Sequence, residues 1–224
     1  MIVGEDLIGR ILHQDSNLII LDKPAGLAVH GGPRTPDHLE AMLDVLRFTL
    51  RQPPRPVHRL DRDTSGCLVL ARHDKAASRM GRLFRSGKVE KVYWAVVAGD
   101  PPGAAGVIAA PLNKATTRQG WRMRIDPGGL AAITEWAVLG RSDGLVWLEL
   151  RPRTGRTHQI RVHCADSLGC PVLGDALYGS GTDRPLHLHA RQVAVPYWAD
   201  RPPVTAVAPP PPHMQAALKD CGWR

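Results

Sequence analysis

The chain has 224 residues, of which 43% are hydrophobic. That is enough to bury the core of one large domain or two small ones, and it excludes wholesale disorder. Lys and Arg exceed Asp and Glu by 29 − 21 = 8, with a pI near 9.8, and such a balance points to a polyanionic partner whose phosphates are attracted to the surface. No signal peptide and no run approaching the ~20 apolar residues of a membrane span is visible. The four cysteines (Cys67, Cys164, Cys170, Cys221) form no Cys-x-x-Cys pair. They are expected to be reduced and structural, in a cytoplasmic protein.

In chain order, Leu18–Leu21 reads as a short buried strand ended by the turn Asp22-Lys23-Pro24-Ala25-Gly26, and Gly31-Gly32-Pro33 marks a further loop. Apolar residues at 39, 42, 43, 46 and 50 predict a helix over 38–50 with Asp37 as its N-cap, stopped by Pro53, Pro54 and Pro56. The polar run His58-Arg59-Leu60-Asp61-Arg62-Asp63-Thr64-Ser65-Gly66 then meets the buried strand Cys67–Ala71. A helix capped by Asp74 runs through Met80, Leu83 and Phe84 to Gly87, and a strand rich in β-formers covers Val89–Val97. Residues 104–130 read as turn-rich and basic, with Lys114, Arg118, Arg122 and Arg124. Strands follow at Ala132–Leu139 and Leu145–Leu150.

A helix is predicted over Thr157–Leu168, with Thr157 near its N-cap and Gly169 at its end. Residues 185–196 resume β character, and Pro209–Pro212 opens a proline-rich exit to a terminal helix, Met214–Lys219. Several strands with fewer helices predict an α+β fold built on largely antiparallel sheet.

Two clusters carry candidate chemistry. Asp61, flanked by Arg59 and Arg62, is expected to stay ionised near neutrality, because adjacent cations favour the charged form. An ionised, positioned carboxylate serves as a nucleophile or a general base, or else it merely caps a turn. In the second cluster, Arg153, Arg156 and Arg161 lie within nine residues. On the predicted helix His158 and Arg161 share a face, and a fixed arginine there is suited to hold a carboxylate in bidentate geometry. The alternative for Arg153 and Arg156 is a solvated basic face that binds phosphate. Tyr93 is either strand packing or a ring for a nucleobase.

The histidine pairs (158 and 163, 187 and 189) lack metal-ligand spacing or acidic partners, and no phosphate-cradling glycine loop is present, so neither a metal nor a nucleotide cofactor is expected.

Several of these segments, in order, resemble the signature segments of the RluA-type pseudouridine synthases. They are Leu21-Asp22-Lys23-Pro24-Ala25-Gly26-Leu27, His58–Gly66, Lys91-Val92-Tyr93 and Gly155-Arg156-Thr157-His158-Gln159-Ile160-Arg161. Leu173-Gly174-Asp175 with Tyr178-Gly179, and Leu188-His189-Ala190, resemble further segments, so that the likeness runs from about Leu18 to Met214.

The resemblance implies a single catalytic domain over 1–224, without an S4 RNA-binding domain, in which 209–224 form the exit and terminal helix. It implies a mixed, largely antiparallel bent sheet with flanking helices and loops. The implied activity is isomerisation of uridine to pseudouridine in RNA, without cofactor or metal; ribosomal RNA, transfer RNA or both are the expected substrates, and a monomer is the expectation for a small basic chain. By motif position Asp61 would be the nucleophile, Tyr93 the active-site aromatic and Arg161, preferred to Arg156, the partner of Asp61. Arg59 would fill the space of a flipped base, and His58, Arg62, Thr64, Arg156 and His158 would contact RNA. Attack at C1′ and elimination to a glycal both stay open. The competing readings are a non-catalytic RNA-binding protein on the same scaffold and a hydrolase using Asp61 and Asp63. The arginines would hold both carboxylates ionised, which leaves the hydrolase without an acid.

Overall fold

A computed structural model describes residues 4–32, 35–117, 120–181 and 184–224. The elements are, in order, β1 (Ile11–Gln14), β2 (Leu18–Lys23), β3 (Arg55–Pro56), β4 (Ser65–Ala71), α1 (Asp74–Arg85), β5 (Glu90–Ala98), β6 (Ala105–Ala109), β7 (Leu112–Thr117), β8 (Gly120–Ile125), β9 (Ile133–Ser142), β10 (Leu145–Pro152), α2 (Gln159–Val162), β11 (Leu188–Val195), β12 (Val204–Val207) and α3 (Pro212–Asp220). 3₁₀ turns cover Gly4–Arg10 and Leu39–Leu46, and a π-helical turn covers His163–Ser167. The fold is mixed α+β, and the pairs β1–β2, β2–β4, β3–β4, β5–β10, β9–β10, β6–β9, β7–β8 and β11–β12 are antiparallel. None of the described helices is long and apolar enough to cross a membrane. The chain forms two compact units, Met1–Lys91 with Ala190–Pro209, and Val92–His189 with Pro210–Arg224.

In the first unit β2 lies between β1 and β4, in the register Leu18↔Ala71 to Lys23↔Gly66. The period-2 alternation of strands sends Leu18, Ile20, Cys67, Val69 and Ala71 to one face. There they pack with Ala76 and Met80, four apart on α1, and with Val193 and Val195. Burial of each large apolar side chain of this kind contributes about 1.5–3 kcal/mol. Every residue of β4 is buried, which explains its continuous apolar run.

β4 begins at Gly66, whose φ of 104° lies where L side chains are strained. A Cβ there would run into the backbone of Ala190, so glycine is required for both conformation and space.

The second unit pairs its strands in the order β5-β10-β9-β6 and adds the separate hairpin β7-β8. Its core gathers Ala95, Val97, Leu148 and Leu150 from the sheet with Ile160, Cys164 and Leu168 from the α2 segment. A further cluster packs Met214 and Leu218 of α3 against Val96 and Trp147. All four cysteines are free and buried.

Several local expectations shift. The helix expected over 38–50 is confined to 3₁₀ turns at Leu39–Leu46, preceded by His38 rather than Asp37, with Leu39, Leu43 and Leu46 buried. The cap of α1 is His73, whose Nδ1 accepts the Ala76 N–H, and Asp74 is the first helical residue. Residues 104–130 are not chiefly turns, because they supply β6, β7 and β8. The helix expected over 157–168 is a short α-helical piece continued by the π turn. His158 enters it in left-handed conformation (φ 53°), so Thr157 is not its cap. Arg118 and Pro33 lie outside the described residues.

Candidate active site

The loop between β3 and β4 carries Asp61. Leu60 and Thr64 are buried on either side of it, while Asp61 itself is half-buried and Arg59 and Arg62 are exposed. The Thr64 N–H donates to the Asp61 carbonyl at 3.2 Å, closing a four-residue turn. Arg62 donates Nε to the carboxylate of its neighbour Asp63 at 3.0 Å. His58, at the start of the loop, stacks on Phe84 with ring centroids 4.6 Å apart and accepts the Val69 N–H at 2.9 Å through Nε2. Burial, aided by the nearby Lys91 charge, pushes the His58 imidazole down to about 3, so it is neutral at physiological pH. It secures the loop to β4 and α1.

Lys23 clamps this loop from within, a role that sequence reading left unassigned although the residue stood in the first motif. It is the last residue of β2 and 1% exposed. Its Nζ donates to the carbonyls of Pro24 and Leu27 at 2.8 Å each and of Arg62 at 3.0 Å. The Gly26 N–H donates to the same Arg62 carbonyl at 3.0 Å, and Gly26 takes φ 85° to make that turn. Three acceptors match the three N–H groups of an ammonium. Burial pulls the Lys23 pKa down to about 7, and the charges of Asp63, Asp61 and Asp22 act against that fall. Asp61 therefore sits within electrostatic reach of a buried cation on its own unit.

A measurable consequence concerns pH. An unfolded lysine titrates near 10.5 and the folded one near 7, so between these values the unfolded chain binds more protons. Stability contributed by this group then rises with pH across the window 7–10.5, by up to about 1.4 kcal/mol per unit. The difference in denaturant stability between wild type and Lys23→Met, followed from pH 7 to 10, should carry this slope. A difference that is flat with pH would contradict it.

In the second unit Tyr93 lies on β5 opposite Leu150 of β10, half-buried against the core. Arg161 on α2 is 9% exposed and gives Nε and Nη2 to the two carboxylate oxygens of Asp175, at 2.7 and 2.8 Å. Asp175 also accepts the N–H groups of Leu177 and Tyr178. Desolvation alone would raise its pKa, but the Arg161 hydrogen bonds and charge, with the two backbone donors, leave it below the ordinary carboxylate value. The Arg161 guanidinium lies 5.1 Å from the centroid of the Tyr178 ring. The Tyr178 hydroxyl accepts the Met123 N–H at 3.0 Å and is hydrogen-bonded to His158 Nδ1 at 2.8 Å. His158 and Arg161 thus converge on Tyr178, although His158 lies outside the helix that was to align them. Trp121 of β8 stacks on His158 at 5.3 Å.

Gln159 organises the approach to α2. Its buried amide accepts from the Thr154 hydroxyl and the Arg156 N–H and donates to the Ile133 carbonyl and the Thr134 hydroxyl. The Thr134 hydroxyl in turn donates to His163 Nδ1, and His163 Nε2 donates to the Ala110 carbonyl. Arg156 is exposed and donates Nε to the Ala131 carbonyl, while Arg153 forms a two-point pair with Glu135. The roles of Gln159 and Asp175 rest in part on partners far away in sequence, Ile133 and Thr134 for the first and Arg161 for the second. Among the described residues no group of three His, Cys, Asp or Glu side chains could hold a metal ion.

The first unit thus carries an aspartate turn, and the second a strand tyrosine and a carboxylate-held arginine. Comparison gives the family: residues 17–166 match the family model for RNA pseudouridylate synthases, and the chain belongs to that family. It is 43% identical over 223 residues to an RNA pseudouridine synthase of Zymomonas mobilis, covering 97% of this chain and 99% of that one. It is 34% identical over 261 residues to the mitochondrial pseudouridylate synthase RPUSD4 of Rattus norvegicus, covering 96% of this chain and 69% of that one. The solved structure of human RNA pseudouridylate synthase domain containing 4 aligns with a TM-score of 0.82 at 30% identity, over 97% of this chain and 95% of that one.

Proposed function

We propose that the protein converts uridines of ribosomal or transfer RNA to pseudouridine, with Asp61 as the nucleophile and with Tyr93 and Arg161 serving the same reaction, without cofactor. The observation that carries the reading is the Asp61 turn. It is anchored by Leu60 and Thr64, and the buried Lys23 ammonium binds the next carbonyl. A nucleophilic carboxylate must be held in one place, and the anchored turn supports that role.

The target nucleotide is extruded from its stack at a cost of a few kcal/mol, offset by contacts to the RNA backbone. Asp61 attacks C1′ as the C1′–N1 bond breaks, or takes the C2′ proton as that bond breaks to leave a glycal. The freed uracil rotates and its C5 bonds to C1′ as the Asp61 ester bond breaks or as C2′ regains its proton, after which the C5 proton passes to water and N1 is protonated. Arg59 and Arg62 on the loop and Arg156 would meet the RNA, and their exposure supports this. The reducing interior of a cell is the setting proposed, with a monomer as the working unit and the four thiols unpaired.

The test uses bulk RNA, labelled with tritium at uridine C5, from cells lacking the protein. Wild-type protein is expected to release tritium, and the pseudouridines missing from the ribosomal and transfer RNA of those cells would locate the targets. Failure to release tritium from any cellular RNA would refute the assignment.

A further inference from the structure

The first unit carries a cationic groove that none of the 58–65 loop residues lines. Lys75, Arg79 and Arg82 stand at i, i+4 and i+7 of α1, on one face and about 6 and 10 Å along the helix axis. This face borders a cleft of about 360 Å³ whose other wall includes Asn17, Tyr197 and Trp198. A second depression of about 350 Å³ shares Arg79 and Arg82 and continues to Ser86 and Lys88. The shared arginines join the two into one track.

Arg79 and the nearby Arg201 are held by aromatic rings instead of acids, while Arg82 donates to the Ser78 hydroxyl at 3.0 Å. The Arg79 guanidinium lies 5.0 Å from the Tyr197 centroid and 5.4 Å from that of Trp198, and Arg201 lies 5.4 Å from the same Trp198 ring. Tyr197 is buried and its hydroxyl donates to Asn17 Oδ1 at 3.1 Å, so the platform is fixed. Trp198 keeps 37% of its surface exposed. Among the described residues no carboxylate pairs with Lys75, Arg79, Arg82, Lys88 or Arg201, and Asp74 of the same helix is engaged by Arg55. A ring face orients a guanidinium without cancelling its charge, and the N–H fork stays directed at an anion. A row of preset cations at helical spacing beside an exposed indole suits a phosphodiester chain better than a single small anion.

We propose that this groove binds the sugar–phosphate backbone of the RNA substrate, as a contact region additional to the Asp61 loop. It rests on the RNA reading above and extends it by naming a second contact surface.

The experiment measures the affinity of the full chain for fluorescein-labelled oligouridylate and for bulk transfer RNA by anisotropy, between 50 and 200 mM salt. The groove variant is Lys75→Glu/Arg82→Glu, both exposed, and a second is Arg79→Gln/Trp198→Ala. Lys219→Glu/Arg224→Glu, at the other end of the sequence, gives the same change in net charge as the first. The groove variants should bind about tenfold or more weakly. Loss of two phosphate contacts should also reduce the slope of log K against log salt by about 1.4 for the single strand. The Lys219/Arg224 control should stay within about twofold of wild type.

Unchanged affinity in both groove variants, or equal weakening in the control, would overturn the proposal. The isomerase reading is scored separately by tritium release. Wild type that releases tritium while groove variants bind normally removes the groove alone, and groove-dependent binding without tritium release removes the isomerase reading alone.

Discussion

Asp61→Asn should abolish tritium release from C5-labelled uridine in RNA, by on the order of 10³-fold or more, while affinity for the same RNA changes little. The amide is nearly isosteric with the carboxylate, and the backbone contacts of the turn, Thr64 N–H to Asp61 carbonyl and Lys23 to Arg62 carbonyl, do not involve the side chain. The backbone of the loop should therefore keep its shape while the carboxylate proposed as nucleophile is lost, and loss of a nucleophile removes most of the rate of a covalent catalyst. Binding and melting temperature serve as controls. A variant that binds RNA, melts like wild type and still isomerises would show that Asp61 is not the nucleophile. If wild type and variant were equally silent yet bound RNA alike, the non-catalytic RNA-binding reading would replace the enzyme.

Asp175→Ala should be strongly destabilising, by about 3–5 kcal/mol, because it removes the two-point carboxylate partner of the buried Arg161 guanidinium. It also removes the acceptor of the Leu177 and Tyr178 N–H groups. For a chain of this length that loss lowers the melting temperature by roughly 6–20 °C. Asp175→Asn should be milder, since an amide oxygen still serves the two backbone donors.

The pH dependence has a definite sign. The folded carboxyl lies below its ordinary value of 3.8, so its contribution is present above that pH and is lost as the solution is acidified through the depressed value. The acid limb of a stability profile should accordingly be shallower in Asp175→Asn than in wild type. Equal melting of wild type and Asp175→Ala would show that the pair contributes nothing.

Much was legible in the residue order because it depends on neighbours in sequence. The buried strands at Leu18 and Cys67 announce themselves as apolar runs, α1 by its period and its closing Gly87, and the Asp61 turn by a polar run set against an apolar one. These are local signals, and local geometry followed them. The strands within 104–130 are hidden in the residue order because β7 and β8 are polar and basic on their exposed residues, so the alternation that marks a half-buried strand is weak there. The α2 segment was over-extended because a left-handed His158 and a π turn are chosen by what the chain packs on, not by helix propensity.

The sequence by itself determined the class of fold, the position of the aspartate turn and, through its ordered motifs, the family. Only the tertiary structure decided which partners complete the polar groups. Lys23 reaches Arg62 across 39 residues, Arg161 reaches Asp175 across 14 and Gln159 reaches Thr134 across 25. Composition and period encode whether a side chain is buried. A buried charge or amide, by contrast, must find its hydrogen-bond partner wherever folding brings one, and that choice is made in three dimensions.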